Sequence, residues 1–247
     1  MRAFSKLFKT ELKLSLRGMD MFIFAICMPV VAVIILGIIF GDKPAFEGAE
    51  YTFLEQSFGA VATIAICAGG VMGLPLVVSD YRHRKILKRF KVTPTSPVLI
   101  LVVQVANYSL YAIFSLILVY ASAAVFFGYQ LSGSWLRFIG AYLLVMLSMY
   151  SIGLLVGGLA KNSKAAGVMA SILYFPMLIF SGATLPYEIM PATLQKAADL
   201  MPLTQGIKLL KAASLGLPSD STRVPVIVMI ALAIVCTVAS VRLFKWE

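Results

Sequence analysis

His83 is the chain's one histidine, and Cys27, Cys67 and Cys236 are its three thiols, in 247 residues. These are the side chains best suited to base, nucleophile or metal-ligand chemistry. A general base must reach the proton it removes, and a nucleophile needs such a base beside it. His83 sits between Arg82 and Arg84 with no pattern of carboxylate and nucleophile around it, and so reads as one more residue of a basic loop. The cysteines all lie inside apolar runs, and an odd set of buried thiols points to packing rather than disulfide, redox or zinc chemistry. The sequence has no G-x-x-x-x-G-K-[ST] phosphate loop, no metal-ligand cluster and no Ser, His, Asp arrangement. The chain is therefore expected not to be an enzyme, to bind no metal and to carry no cofactor of its own.

What positions these few residues is an array of apolar segments. Met21 to Phe40, Phe58 to Val78, Val98 to Phe127, Phe138 to Ala160, Ala165 to Leu185 and Val224 to Val241 contain no Asp, Glu, Lys, Arg or His. Each is long enough for a helix to cross a bilayer, which takes roughly 20 residues. A composition of 60% hydrophobic and 13% charged residues leaves too little polar surface for a soluble globule. The backbone must satisfy its own hydrogen bonds in lipid, so runs of this length are helices rather than barrel strands. The expected fold is an all-α polytopic membrane protein with six transmembrane helices in one domain, residues 1–247. Ion-driven transport is disfavoured, because it needs titratable groups within the bilayer and the six runs have none.

Charge sets the expected orientation. Five Lys/Arg fall in the first 20 residues and six between Asp80 and Pro97; with Lys161, Lys164, Arg242 and Lys245, 15 basic residues lie on one side against six on the other. The rule that basic loops stay inside places that side, and both termini, in the cytoplasm. This clustering beside apolar runs argues against nucleic acid as the partner for the net charge of +10. No small-residue cleavage site follows the first run, so the start is expected to stay in the mature chain.

Residues 1–20 have a helical period. Arg2, Lys6, Lys9, Lys13 and Arg17 form one face and Phe4, Phe8, Leu12 and Leu16 another, as in an interfacial helix that meets anionic headgroups with its basic side. Such a helix serves as a topology-setting anchor or as a contact for a partner subunit. The external loop Gly41 to Ser57 carries Asp42, Glu47, Glu50 and Glu55 and reads as a short solvated turn. Residues 80–97 form a basic cytoplasmic loop in which Ile86, Leu87 and Phe90 share a face and Pro94 sets a stop. That combination fits a short amphipathic docking helix, against a merely solvated basic loop. The third run, of 30 residues, must tilt or project. Its amides Gln104 and Asn107 fit interhelical hydrogen bonding better than a translocation path. Gly69 with Gly73, and Gly153 with Gly157, are small-xxx-small pairs that permit close helix approach.

Residues 186–223 differ from a plain loop. Pro191 can open a helix that ends before Pro202, with Leu194, Ala197, Ala198 and Met201 on one apolar face; a second piece places Leu203, Ile207 and Leu210 together. The segment is expected to lie on or partly enter the outer leaflet and to act as an external gate at Leu185, Pro186 and Pro191.

These features together resemble the ABC-2 type permeases, the membrane subunits of bacterial ABC exporters that include the daunorubicin-resistance-like drug and peptide exporters. The resemblance runs the full length. It rests on the basic N-terminal helix, on the stretch from Arg82 to Pro97, and on Ser181 to Pro191 followed by Met201-Pro-Leu-Thr204. It implies a six-helix protomer in the bacterial cell membrane, paired with a second permease, identical or related, and with two cytoplasmic ABC ATPase subunits that bind ATP and Mg. It further implies that Arg84, Ile86, Leu87, Arg89 and Phe90 couple to the ATPase. Where family members often carry a glutamate and a Gly-Thr pair in this loop, His83, Lys85 and Ile86 stand here. The implied cargo path is a cleft lined by the second and fifth spans, with Tyr174, Phe175, Phe180 and Thr184 as lining residues or, alternatively, as ordinary helix packing. An uncharged aromatic path suits an amphipathic or hydrophobic cargo such as a drug, antibiotic or peptide. A lipid-linked polysaccharide is the alternative cargo, and a passive channel or scaffold the alternative class.

Overall fold

The structure is a computed structural model that describes residues 2–41, 43–46, 48–86, 97–181, 187 and 190–243. Six of its helices are long and apolar enough to cross a membrane: Ile23–Phe40, Phe53–His83, Val98–Phe127, Trp135–Leu159, Ser163–Phe180 and Arg223–Leu243. These are the first to sixth spans. Among the described residues extended structure is limited to one antiparallel bridge, Pro44 to Thr52, within the expected turn. The protein is an all-α polytopic membrane protein, as its apolar runs predict.

The second span is longer than its charge-free run. It starts at Phe53 because Thr52 and Glu55 form a capping box: the Thr52 N–H donates to Glu55 Oε2 at 2.7 Å and the Glu55 N–H to Thr52 Oγ at 3.2 Å. It ends at His83, beyond Val78, because Asp80 and Arg82 find partners at the helix end. Its most apolar window is 83% buried within this chain, against 22–28% for the first, third, fifth and sixth spans. The second span is thus the axis of the bundle. A helix that is apolar all round carries no periodic signal of which face is buried, so sequence alone does not single it out.

Two π-helical turns, Ile23–Cys27 and Ala68–Gly73, interrupt the first and second spans. Each lies just before a proline, Pro29 or Pro75. Proline lacks the N–H that would bond to the carbonyl four residues back, and those carbonyls belong to Ala25 and Val71, inside the widened turns.

The fourth span approaches the second most closely through glycine. A Cβ added at Gly153 would collide with the Gly70 carbonyl oxygen, and one at Gly157 would lie 2.8 Å from Val78 Cβ and 3.1 Å from Pro75 Cα. The predicted pair on the fourth span is therefore a close-approach site. Gly69 and Gly73 serve another neighbour, since Cβ atoms there would sit 3.3 and 2.7 Å from the ring of Tyr108 on the third span. Hydroxyls complete the frame. Tyr142 donates to the Ala112 carbonyl at 2.8 Å and Ser148 to the Met229 carbonyl at 2.8 Å, tying the fourth span to the third and sixth.

Between the fifth and sixth spans, helices Ala192–Asp199 and Pro202–Leu215 occupy the end of the bundle opposite Arg82. The second inserts deeply. Leu203, Ile207 and Leu210 are buried as their spacing predicts, and a Cβ at Gly59 of the second span would lie 2.9 Å from the Lys211 backbone nitrogen. The first behaves differently. Leu194 and Ala197 of its expected apolar face are exposed and only Ala198 is fully buried, because an eight-residue helix meets the bundle over a single turn.

Candidate functional site at the basic end

The N-terminal helix Arg2–Gly18 lies against the bundle at the end where the second span finishes and the third begins. Lys6, Lys9, Lys13 and Arg17 are exposed while Phe4, Phe8 and Leu12 are half-buried, as the two-faced period requires; Leu16, at the far end of that stripe, is exposed. Glu11, which the charge pattern does not single out, makes the key contact. Its Oε2 accepts from Tyr81 Oη at 2.7 Å and from Gln104 Nε2 at 2.8 Å, and Gln104 Nε2 also lies 3.3 Å from Tyr81 Oη. One carboxylate thereby joins the N-terminal helix to the second and third spans, and charge-assisted bonds of this kind are the stronger class. Gln104 is the interhelical amide expected of it. Asn107 is not: both of its side-chain polar atoms are buried without a hydrogen-bond partner among the described residues.

One residue on, Arg82 closes the fourth span. Its Nη1 donates to the carbonyl oxygens of Gly157 (3.2 Å), Gly158 and Ala160 (3.1 Å), which end a helix whose last carbonyls have no partner in the helix itself. A cation at a helix C-terminus is also favoured by the helix dipole. Arg84 turns the other way, is exposed, and pairs with Asp80 at 3.0 Å. Lys85 takes a left-handed backbone conformation with φ 56°, so the chain turns sharply before Ile86. Of the expected coupling residues, Arg84 and half-buried Ile86 are placed here, whereas Leu87, Arg89 and Phe90 lie outside the described residues. A cavity of about 470 Å³ opens beside this junction, lined by Glu11, Asp80, Tyr81, Arg84, Gln104 and Ser163 among others.

The expected cargo-path residues separate onto two faces. Tyr174 points inward with Ala166, Ala170 and Met177, whereas Phe175 stands on an exposed stripe with Val168, Ile172 and Ile179. Their rings meet edge to face at 5.5 Å. Phe180 is half-buried, and Thr184 lies outside the described residues. Of the expected gate, Leu185 and Pro186 lie outside them too, while exposed Pro191 immediately precedes helix Ala192–Asp199.

Beyond the fifth span, Asp199 gathers the segment that leads to the sixth. Its Oδ1 accepts from Lys208 Nζ at 2.6 Å, its Oδ2 from Tyr187 Oη at 3.0 Å, and its carbonyl from Gln205 Nε2 at 2.7 Å. Burial pushes the Lys208 pKa down, but the Asp199 carboxylate and the Tyr187 hydroxyl outweigh it and hold the ammonium above the ordinary lysine value. Among the described residues there is no group of three or more His, Cys, Asp or Glu that could hold a metal ion.

The putative transport permease YvfS of Bacillus subtilis (strain 168) is 23% identical over 150 residues, covering 58% of each chain. Nodulation protein J of Neorhizobium galegae is 33% identical over 72 residues, covering 29% of this chain and 28% of that protein. The alignments thus span less than two thirds of either relative. The profile of the ABC-2 type transporters matches residues 2–215, from the N-terminal helix through helix Pro202–Leu215, and the chain belongs to the ABC-2 type transporter family.

Proposed function

We propose that this chain is the membrane-spanning permease subunit of an ATP-binding-cassette exporter that moves an amphipathic or hydrophobic cargo out of the cell. In this reading the basic end faces the cytoplasm, and the 15 basic residues assigned to that side support it. Two ABC ATPase subunits bind there, a second permease completes the complex, and ATP with Mg is held by the ATPases. The observation that carries the proposal is the cluster of Glu11, Tyr81 and Gln104 beside the Arg82 clamp. It fastens the N-terminal helix and the second, third and fourth spans together, four residues before Ile86, where the expected coupling loop continues. A displacement of that loop is then handed to several spans at once.

Alternating access needs the ATP-bound and free complexes to differ in contact energy at this junction. Closure of the ATPase pair moves the loop, the junction moves with it, and the spans rock so that the cleft opens outward. Purification of the chain from its native cells in mild detergent tests the proposal. A stoichiometric ABC ATPase with vanadate-sensitive hydrolysis is expected; a lone chain without ATPase activity would favour a channel or scaffold instead.

A further inference from the structure

The outer end of the bundle holds a second cavity, of about 350 Å³, between the start of the second span and helix Pro202–Leu215. Thr204, Ile207, Lys208 and Lys211 follow one another at helical spacings of three, four and seven from the first, so a single face of that helix forms one wall. Gln56 and Ser57 face them from the second span, and Ala60 with Leu217 supplies apolar surface. The lining contains two lysines and no carboxylate. Asp199 stands behind Lys208, not in the lining, and with the Tyr187 ring 4.2 Å from Nζ it fixes where that ammonium sits. Lys211 Nζ lies 5.5 Å from the Tyr51 ring centroid.

Thr204 supplies the independent observation. It is 1% exposed, and its hydroxyl is buried without a hydrogen-bond partner among the described residues. A buried hydroxyl left without a partner is destabilising, so native structures usually provide one. A ligand oxygen in this cavity would be such a partner, with Lys211 and the pinned Lys208 supplying positive charge around it.

From this geometry we propose that the cavity binds the anionic head of an amphipathic molecule, a phosphate monoester or a carboxylate carried on an apolar body. Its place in transport rests on the exporter reading, where it lies at the exit side of the fifth span; the binding itself does not. The same chemistry is offered by an exported amphiphile and by an anionic lipid of the outer leaflet.

The test uses the full chain in dodecyl maltoside, with dodecyl phosphate as the probe and dodecanol as its uncharged counterpart, read by thermal unfolding. Dodecyl phosphate is expected to raise the melting temperature and dodecanol not to. Lys211→Gln should weaken dodecyl phosphate binding about tenfold and Thr204→Val several-fold, as expected for loss of one charge-assisted and one neutral hydrogen bond. Lys161→Gln, at the other end of the bundle, should change nothing. Nanodiscs of phosphatidylglycerol and of phosphatidylcholine then separate the sources. Competition by phosphatidylglycerol alone assigns the site to a bilayer lipid, and no competition by either assigns it to cargo. Equal binding of dodecanol, or dodecyl phosphate binding untouched by both cavity substitutions, would overturn the proposal. No ATPase takes part, so this result and the co-purification result can fail independently.

Discussion

The Tyr81 hydroxyl donates to the Glu11 carboxylate across 2.7 Å, although the two residues stand 70 positions apart. Through this bond the N-terminal helix is part of the bundle, not an appendage to it. Tyr81→Phe and Glu11→Gln should each destabilise the protein, and together by less than their sum. The coupling free energy is expected at about 1 kcal/mol or more, the range for a hydrogen bond to a charged group. A double-mutant cycle on chemical unfolding in detergent measures it. Strict additivity would mean that the contact contributes nothing.

Arg82 joins the second span to the end of the fourth by donating to three backbone carbonyls. All three bonds run from one terminal nitrogen, Nη1, and a lysine ammonium, on a shorter side chain, would end short of that point. Arg82→Ala should lower stability by ~2 kcal/mol, with Arg82→Lys recovering only part of the loss. Full recovery by lysine would reduce the role of Arg82 to charge at the helix end.

What the sequence makes legible divides along a physical line. Span number, the N-terminal helix and the close approach of Gly153 follow from local composition and spacing, and the structure has all three. Glu11 is invisible to that reasoning because it lies in a basic helix and its partners come from distant segments. Arg82 is likewise indistinguishable from its basic neighbours until the fourth span is folded beside it. Boundaries of the second span are misplaced when charged residues are taken as stops, since Glu55 and Arg82 serve its ends rather than breaking them. Asn107 shows the opposite failure: an amide in an apolar helix predicts an interhelical partner, and among the described residues it has none.

Gly153→Ala is expected to prevent correct packing of the second and fourth spans, because the new methyl would meet the Gly70 carbonyl, which is backbone and cannot rotate away. Gly140→Ala on the same helix is the control, with nothing within 4 Å of the added Cβ. Size-exclusion profiles of the two variants in detergent should differ sharply: a monodisperse peak for Gly140→Ala and aggregated or degraded protein for Gly153→Ala. Equal behaviour would place the closest approach of these spans elsewhere.

Lys208 predicts a pH effect with a definite sign. Its folded pKa is raised above the ordinary value of 10.5, so folding favours the protonated form. That contribution is fully present below about pH 10.5 and is lost as pH rises through the raised folded pKa. The wild-type chain should therefore lose more thermal stability than Lys208→Gln between pH 9 and pH 12. Parallel stability curves would show that the pair with Asp199 does not favour the folded state.

The exporter reading makes its strongest demand on loop 87–96. Leu87 and Phe90 lie outside the described residues; their spacing from Ile86 in the sequence predicts an apolar stripe where the chain leaves the junction built by Glu11, Tyr81 and Arg82. Aspartate at either position would put charge on a stripe meant to meet an ATPase, and would leave the six spans and their basic flanks untouched. Leu87→Asp and Phe90→Asp should insert and fold normally, keep ATP hydrolysis in the partner, and export nothing. Export and hydrolysis measured on the same reconstituted vesicles distinguish this from simple loss of assembly, which would remove the ATPase from the vesicles altogether. Unchanged export in both variants would mean that the force of ATP binding enters the permease by another route, with the N-terminal helix, held by Glu11, as the remaining contact at that end.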